Sequence, residues 1–98
     1  MVEIKWTLQA IDDMNNIAEF IARDSVKYAN IQLERFFEKV EILEKFPITG
    51  RIVPETGDET IRELITGSYR IIYRIVSSAR IDILTVYHSK RSLDPNFF

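Results

Sequence analysis

The sequence predicts a two-layer α+β domain: an antiparallel helical hairpin packed on a small antiparallel sheet, in the order β-α-α-β-β-β. Two observations carry this. The stretch from Ile61 to Arg91, IRELITGSYRIIYRIVSSARIDILTVYHSKR, holds three strand-like runs rich in β-branched and aromatic residues, joined by two short turns. Ahead of it lie two long segments whose apolar residues recur at three and four spacings, the period of a helix with one buried face. Burying both stripes against one side of the sheet uses every element. With 98 residues, and no internal repeat or low-complexity tract, residues 1–98 are expected to form a single domain.

Val2 to Trp6 reads as a short first strand that joins the sheet. Thr7 is a good N-cap for a helix over about Leu8 to Ala22, with Leu8, Ile11, Met14, Ile17, Ala18 and Ile21 as its buried stripe. Asp12 and Asp13 fall between these positions and suit the positive end of the helix dipole. Ser25 caps a second helix over about Val26 to Phe46, which stops before Pro47 because the residue ahead of a proline avoids helical angles. Its stripe is Ala29, Leu33, Phe36, Phe37, Val40, Leu43 and Phe46. Pro47 to Thr60, PITGRIVPETGDET, is a loop punctuated by prolines and glycines. A loop this long in a small domain is often functional. After the Ile61–His88 meander comes a tail from Ser89 to Phe98. There Asp94-Pro95-Asn96 reads as a turn, and Phe97-Phe98 is placed to fold back or make a contact.

Period two puts Tyr69, Ile71, Tyr73 and Ile75 on the core face and Arg70, Ile72, Arg74 and Val76 on the other. A three-residue loop, Ser77-Ser78-Ala79, would pair Val76 with Arg80 and set Arg74 opposite Asp82, an opposite-charge pair. It would set Tyr69, Ile71, Tyr73 and Ile75 beside Tyr87, Thr85, Ile83 and Ile81, and send Leu84, Val86 and His88 to the far face. Arg70 and His88 would then be diagonal neighbours, both facing away from the helices. The turn at Thr66-Gly67 leaves its register open. A two-residue loop puts Glu63 opposite Arg70, and a three-residue loop puts Leu64 there. The far face has no element left to cover it, so a partner is expected on it.

There are no cysteines, which excludes disulfides and thiolate metal sites, and one histidine makes no conventional metal site; neither a metal nor a cofactor is expected. Met1-Val2-Glu3-Ile4-Lys5 lacks the pattern of a secretion signal, and no apolar stretch could cross a bilayer. The expected location is the cytoplasm, with no membrane partner. The net charge is −2, yet residues 62–91 carry +4 (Arg62, Arg70, Arg74, Arg80, Lys90 and Arg91 against Glu63 and Asp82) and the rest −6. Such asymmetry suits a local anion-facing surface on an acidic body. Arginines, a histidine, tyrosines and a loop carboxylate suit phosphate binding and proton transfer at a ribose. A histidine ending a strand and an arginine paired with Glu63 are the structural alternative.

Trp6-Thr7-x-x-Ala10-x-x-Asp13, Pro47-x-x-Gly50-Arg51-x-Val53-Pro54-Glu55, Ile61-Arg62-Glu63-Leu64, Tyr69-Arg70-Ile71-Ile72-Tyr73 and Val86-Tyr87-His88-x-x-Arg91 together resemble the RelE/ParE superfamily. Its members are toxins of type II toxin–antitoxin modules, often labelled plasmid stabilisation proteins. The resemblance runs in order over nearly the whole chain and implies the fold derived above and a cognate antitoxin as partner. It leaves self-association open. It implies one of two activities: metal-independent cleavage of messenger RNA in the ribosome, as in RelE-like members, or poisoning of DNA gyrase, as in ParE-like members. Arg70 corresponds to a catalytic arginine of the ribonucleases, and His88 to the histidine of the YoeB type. Glu55 corresponds to their general-base glutamate, with an insertion before Arg70. Arg62, Arg74, Lys90 and Arg91 are the candidates for substrate binding. The catalytic lysines of RelE have no counterpart near Ile61 and Glu63, and Ser89 stands where the YoeB type has tyrosine. The first-helix pattern and the His-x-x-Arg ending are closer to ParE, so the expectation leans to gyrase. If the protein were a ribonuclease, Arg70→Ala would abolish toxicity and leave the fold intact.

Overall fold

In the computed structural model, which describes residues 1–91, strand β1 (Glu3–Trp6) leads directly into α1 (Leu8–Ala22). Helix α2 (Val26–Glu41) follows and tightens into a 3-10 turn at Ile42–Glu44. Both caps are those expected. The Thr7 hydroxyl accepts the Ala10 N–H and the Ser25 hydroxyl accepts the Tyr28 N–H, each at 3.2 Å. Then come β2 (Arg51–Ile52), β3 (Ile61–Thr66), β4 (Tyr69–Ser77) and β5 (Arg80–His88). The expected turn at Asp94 and the Phe97-Phe98 contact lie outside the described residues.

The sheet order is β1-β5-β4-β3-β2. Three corrections to the expected sheet follow. It is mixed rather than wholly antiparallel, because β1 runs parallel to β5 along that strand's open edge. The loop over residues 47–60 is not structureless, since β2 pairs antiparallel with β3 at its centre. The β3–β4 turn is Gly67-Ser68, with Gly67 at φ +57°, so Arg70 faces Ile65 rather than Glu63 or Leu64.

The β4–β5 hairpin departs from strict alternation twice. Arg74 does face Asp82, Ile75 faces Ile81 and Tyr73 faces Ile83, as expected. At the turn, Ser77 pairs with Arg80, so the loop is the two residues Ser78-Ala79 and Val76 is the extra residue. At the other end, Ile72 faces Thr85, which makes Leu84 the extra residue of a β-bulge. Every later residue of β5 therefore changes face. Val86 packs into the helix-side core, and Tyr87 packs on the far side with Val53, Ile61 and Ile72. This reverses the expected placement of both.

Helix α1 holds the bulge in place. The Thr7 hydroxyl donates to the carbonyls of Ile83 (2.7 Å) and Leu84 (3.1 Å). The Asp13 carboxylate accepts the Val86 N–H at 3.1 Å and the Thr85 hydroxyl. A bulge frees ladder groups that must find partners when buried. Thr7 and Asp13, six residues apart, supply them; this, rather than the expected helix dipole, is what Asp13 serves, since the first turn of α1 carries no acidic residue. The same tethers set the helix's rotation. Ala10, Met14 and Ile17 face the sheet, while Leu8 and Ile11, expected in the stripe, point to solvent.

The stripe of α2 is offset in the same way. Ala29, Phe36, Val40 and Leu43 are buried, with Leu33 packed beside them. Phe37 and Phe46, both expected in the core, are 50% and 61% exposed. Phe37 sits one helical step of about 100° from Phe36. It meets Trp6 edge-on at a ring separation of 5.2 Å rather than the sheet.

The far face of the sheet is covered in part, with Ile65 on it still 46% exposed. Val53, fully buried, brings the loop over Ile61, Ile72 and Tyr87 to make a second, smaller core. Two contacts anchor the loop's start. The Tyr73 hydroxyl accepts the Gly50 N–H (2.9 Å) and donates to the Pro47 carbonyl (2.8 Å).

Candidate functional site

The loop that folds over the far face delivers Glu55 onto Arg70. Alternation along β4 points Arg70 to that face, and along β3 it points Glu63 there, one pair diagonally away. Nη1 and Nη2 of Arg70 donate to the two carboxylate oxygens of Glu55, each at 3.0 Å, while Nε donates to Glu63. The second oxygen of Glu63 accepts from Nε of Arg51 on β2. Beneath the guanidinium lies the ring of Tyr87, 5.2 Å from the guanidinium carbon. Arg70 is 7% exposed and Glu63 1%. The result is a row of charges, Arg51–Glu63–Arg70–Glu55, buried at its centre and exposed at its two ends, that sums to zero.

Each charge state is held by its neighbour. The hydrogen bonds from Arg70 keep the Glu55 carboxyl below its ordinary pKa, against the opposing effect of partial burial. Glu55 first, and then Glu63, raise the Arg70 pKa further above its already high value. Burial pushes the Tyr87 phenol up to about 12. Its hydroxyl has no hydrogen-bond partner among the described residues.

Of the residues expected to act together, Arg70 and Glu55 meet and His88 does not join them. The bulge at Leu84 turns His88 to the helix side, edge-on to Tyr69 at 5.5 Å, so the expected Arg70–His88 diagonal is absent. His88 lines an open cleft of about 450 Å³ with Asp13, Ile17, Phe20 and Arg91. Its Nδ1 accepts the Lys90 N–H at 3.1 Å. Arg62 is spent on structure, donating to the carbonyls of Glu59 (3.0 Å) and Gly50 (2.9 Å). Asp82, opposite Arg74, is bound instead by Arg80 through two bonds of 2.9 Å. Lys90 and Arg91 are exposed beyond the end of β5. Among the described residues, no group of three or more histidine or acidic side chains gathers to hold a metal ion.

Chemically, the cluster is closed. Glu55 is a weakened base whose two oxygens are both engaged, and Arg70 has no open fork to offer a phosphate. The Arg70–Glu63 pair is the structural alternative named from the sequence, whereas Arg51 and Tyr87 were missed as members. One signal pointed to that pair: a glutamate between Ile61, Leu64 and Ile65 on a central strand is buried only if paired.

Comparison with known proteins places this geometry. Residues 4–93 match the family described as ParE toxin of type II toxin-antitoxin system, parDE. The chain is 35% identical over 88 residues to Y4kP of Sinorhizobium fredii, covering 88% of this chain and 86% of that one. It is 25% identical over 91 residues to toxin RelE2 of Caulobacter vibrioides, covering 93% and 99%. Among solved structures, the chromosomal ParDE toxin–antitoxin system of P. aeruginosa has a chain that superposes with a TM-score of 0.73 at 20% identity, covering 92% of this chain and 98% of that one. The RelBE2 toxin–antitoxin complex of Mycobacterium tuberculosis gives 0.57 at 19% identity, covering 89% and 96%. At these identities the structures share the fold.

Proposed function

The chain belongs to the ParE toxin family of type II toxin–antitoxin systems, and from that premise we propose that it acts by binding and blocking DNA gyrase or a similar essential complex, rather than by cutting RNA. One observation carries the choice of target. The fork of Arg70, which a ribonuclease of this fold would need for phosphate, is filled by Glu55, and His88 stands on the other side of the sheet. Arg74 on β4 and, exposed beyond the end of β5, Lys90 and Arg91 are the candidate cations left to face the target. A binding toxin needs no assembled acid–base pair, so the closed cluster costs it nothing.

A cognate antitoxin is the second partner. The hairpin's outer surface suits it, with Leu8, Phe20, Val26 and Tyr28 all mostly exposed. A disordered antitoxin segment that folds on binding would cover these apolar side chains. No helix among the described residues is long and apolar enough to cross a membrane, and the proposed target places the protein in the cytoplasm.

Induced expression in a bacterial host, with and without the neighbouring reading frame, tests the proposal. The expected result is filamentation and a DNA-damage response while translation continues, both relieved by co-expression. Immediate arrest of translation with cleaved messages would refute it in favour of the ribonuclease. An unaffected culture would refute toxicity itself.

A further inference from the structure

We infer that the open edge of β1, with the crevice beside it, is a docking site for an extended basic segment of a protein partner, added to the sheet as a sixth strand. The sheet ends on β1 at one side and on the two-residue β2 at the other. A strand as short as β2 makes a poor template, which leaves β1 as the edge that can accept a neighbour. Along β1 the Glu3 N–H donates inward to the Ala79 carbonyl at 2.8 Å, and the following Thr7 N–H donates to the Ile83 carbonyl at 3.1 Å. Alternation then turns the N–H and C=O of Ile4, and the N–H of Trp6, outward. These groups find no hydrogen-bond partner among the described residues. Val2, in the same outward series, shows what the edge accepts: its N–H donates to the Glu44 carbonyl at 3.0 Å. An incoming strand would continue that row at Ile4 and Trp6.

The edge also has a place for the strand's side chains. Ile4 and Trp6 lean to the helix side, and with Phe37, Val40, Glu41 and Glu44 they line a crevice of about 190 Å³. A second hollow of about 290 Å³ shares Glu41 and Glu44 and adds the exposed side chains of Ile42 and Phe46. A strand laid beside β1 sends alternate side chains into this crevice, where half-exposed Phe37 offers them an apolar surface.

Charge selects the occupant. The two hollows carry Glu38, Glu41 and Glu44 against Lys45. On the other face of β1 the charges cancel: Glu3 lies beside Arg80, Lys5 beside Asp82, and Glu3 and Lys5 approach each other to 3.7 Å. The glutamates therefore set the sign of the site. Lysine or arginine on the incoming strand can rest its aliphatic stem on Trp6 and Phe37 and reach them. The same charge disfavours a second copy of the chain, since two β1 edges side by side would bring two sets of glutamates together. The site depends neither on the toxin's target nor on Arg70.

The test uses the full chain and capped peptides of about ten residues: alternating lysine and valine, alternating glutamate and valine, and lysine alone. Binding is read by fluorescence of Trp6, the only tryptophan, and by amide exchange. The lysine–valine peptide should bind at least about tenfold more tightly than either control. It should slow exchange at Ile4 and Trp6 and leave Lys5, whose N–H already faces β5, unchanged. Glu41→Lys/Glu44→Lys should weaken binding by about tenfold or more, and Glu19→Lys, an equally exposed change on α1, should not. Circular dichroism checks the fold of each variant; should the double variant lose it, exchange at Ile4 in the wild type decides. Equal binding of the glutamate–valine or the lysine peptide overturns the site. So does binding that survives Glu41→Lys/Glu44→Lys or leaves the Ile4 amide unprotected. Self-association of the free chain that protects the Ile4 amide would give the edge to a second copy and overturn the basic partner as well.

Discussion

Arg70→Ala should unfold the protein more readily than its position in a toxin's candidate site suggests. Glu63 has no exposed side-chain surface, and its two oxygens are held by Arg70 and by Arg51, the latter 63% exposed. Removing Arg70 leaves a buried carboxylate with one partly solvated cation, strips Glu55 of both its bonds, and opens a space above the Tyr87 ring. Breaking a buried pair from one side costs about 3–5 kcal/mol, against a total stability of about 5–15 kcal/mol for a domain. The surviving Arg51 contact argues for the lower end. Removing both buried partners, as Arg70→Met with Glu63→Leu, should restore most of the loss, because no buried charge is then left alone. Urea unfolding followed by Trp6 fluorescence, Trp6 being the only tryptophan, and by circular dichroism measures each difference. An Arg70→Ala protein within about 0.5 kcal/mol of wild type, the range of ordinary surface substitutions, would refute the reasoning. The outcome matters for function too: lost toxicity in Arg70→Ala says nothing about catalysis unless the fold is shown to survive.

Phe36→Ala should cost about 3–5 kcal/mol by cavity formation, whereas Phe37→Ala, half-exposed, should cost about 1 kcal/mol through its edge contact with Trp6; melting of the two variants separates them. Asp13→Ala should cost about 1–3 kcal/mol by leaving the Thr85 hydroxyl and the Val86 N–H unpaired, and amide exchange at Val86 should quicken more than at Ile81. Gly50→Ala should destabilise by about 1–3 kcal/mol through overpacking, because a Cβ there would stand 2.6 Å from both the Glu63 carbonyl and the Tyr73 hydroxyl. Stability should fall at both ends of the pH scale. Glu55 and Asp82 have lowered folded pKa values, so their contribution is present above the unfolded range near 4 and is lost as pH falls through the folded values. Tyr87 is raised from 10.0 to about 12, so its contribution is present below pH 10 and is lost on rising to 12, on the order of 2–3 kcal/mol. Unfolding midpoints and phenolate absorbance against pH check both limbs.

The features legible in the sequence were those set by local chemistry. Thr7 and Ser25 cap helices because a hydroxyl at that position answers a nearby amide, whatever lies further off. Arg74 does face Asp82, but the three-residue loop from which that was counted is two residues long, and the pairing is kept only because Val76 is an extra residue. The errors arose where distant residues intervened. Period two fails at Leu84 because Thr7 and Asp13, more than seventy residues earlier, supply partners for a bulge. That one inserted residue moved His88 away from Arg70. The parallel pairing of β1 with β5 has no local signature, since neither strand's own residues specify its neighbour. Phe36 and Phe37 differ only in the rotation of α2 on the sheet. The closure of the candidate site by Glu55 depends on where Val53 anchors a loop that carries no periodic pattern. Arg70 and Glu55 could be singled out as chemical groups, but their mutual neutralisation could not.

The most direct measurement is DNA supercoiling by purified gyrase in the presence of the purified full chain, run beside a ribosome-programmed message-cleavage reaction. The account predicts dose-dependent loss of supercoiling, reversed by the cognate antitoxin, with messages left whole. Unchanged supercoiling together with cut messages would contradict it, and would mean that Glu55 leaves Arg70 open to RNA on the ribosome.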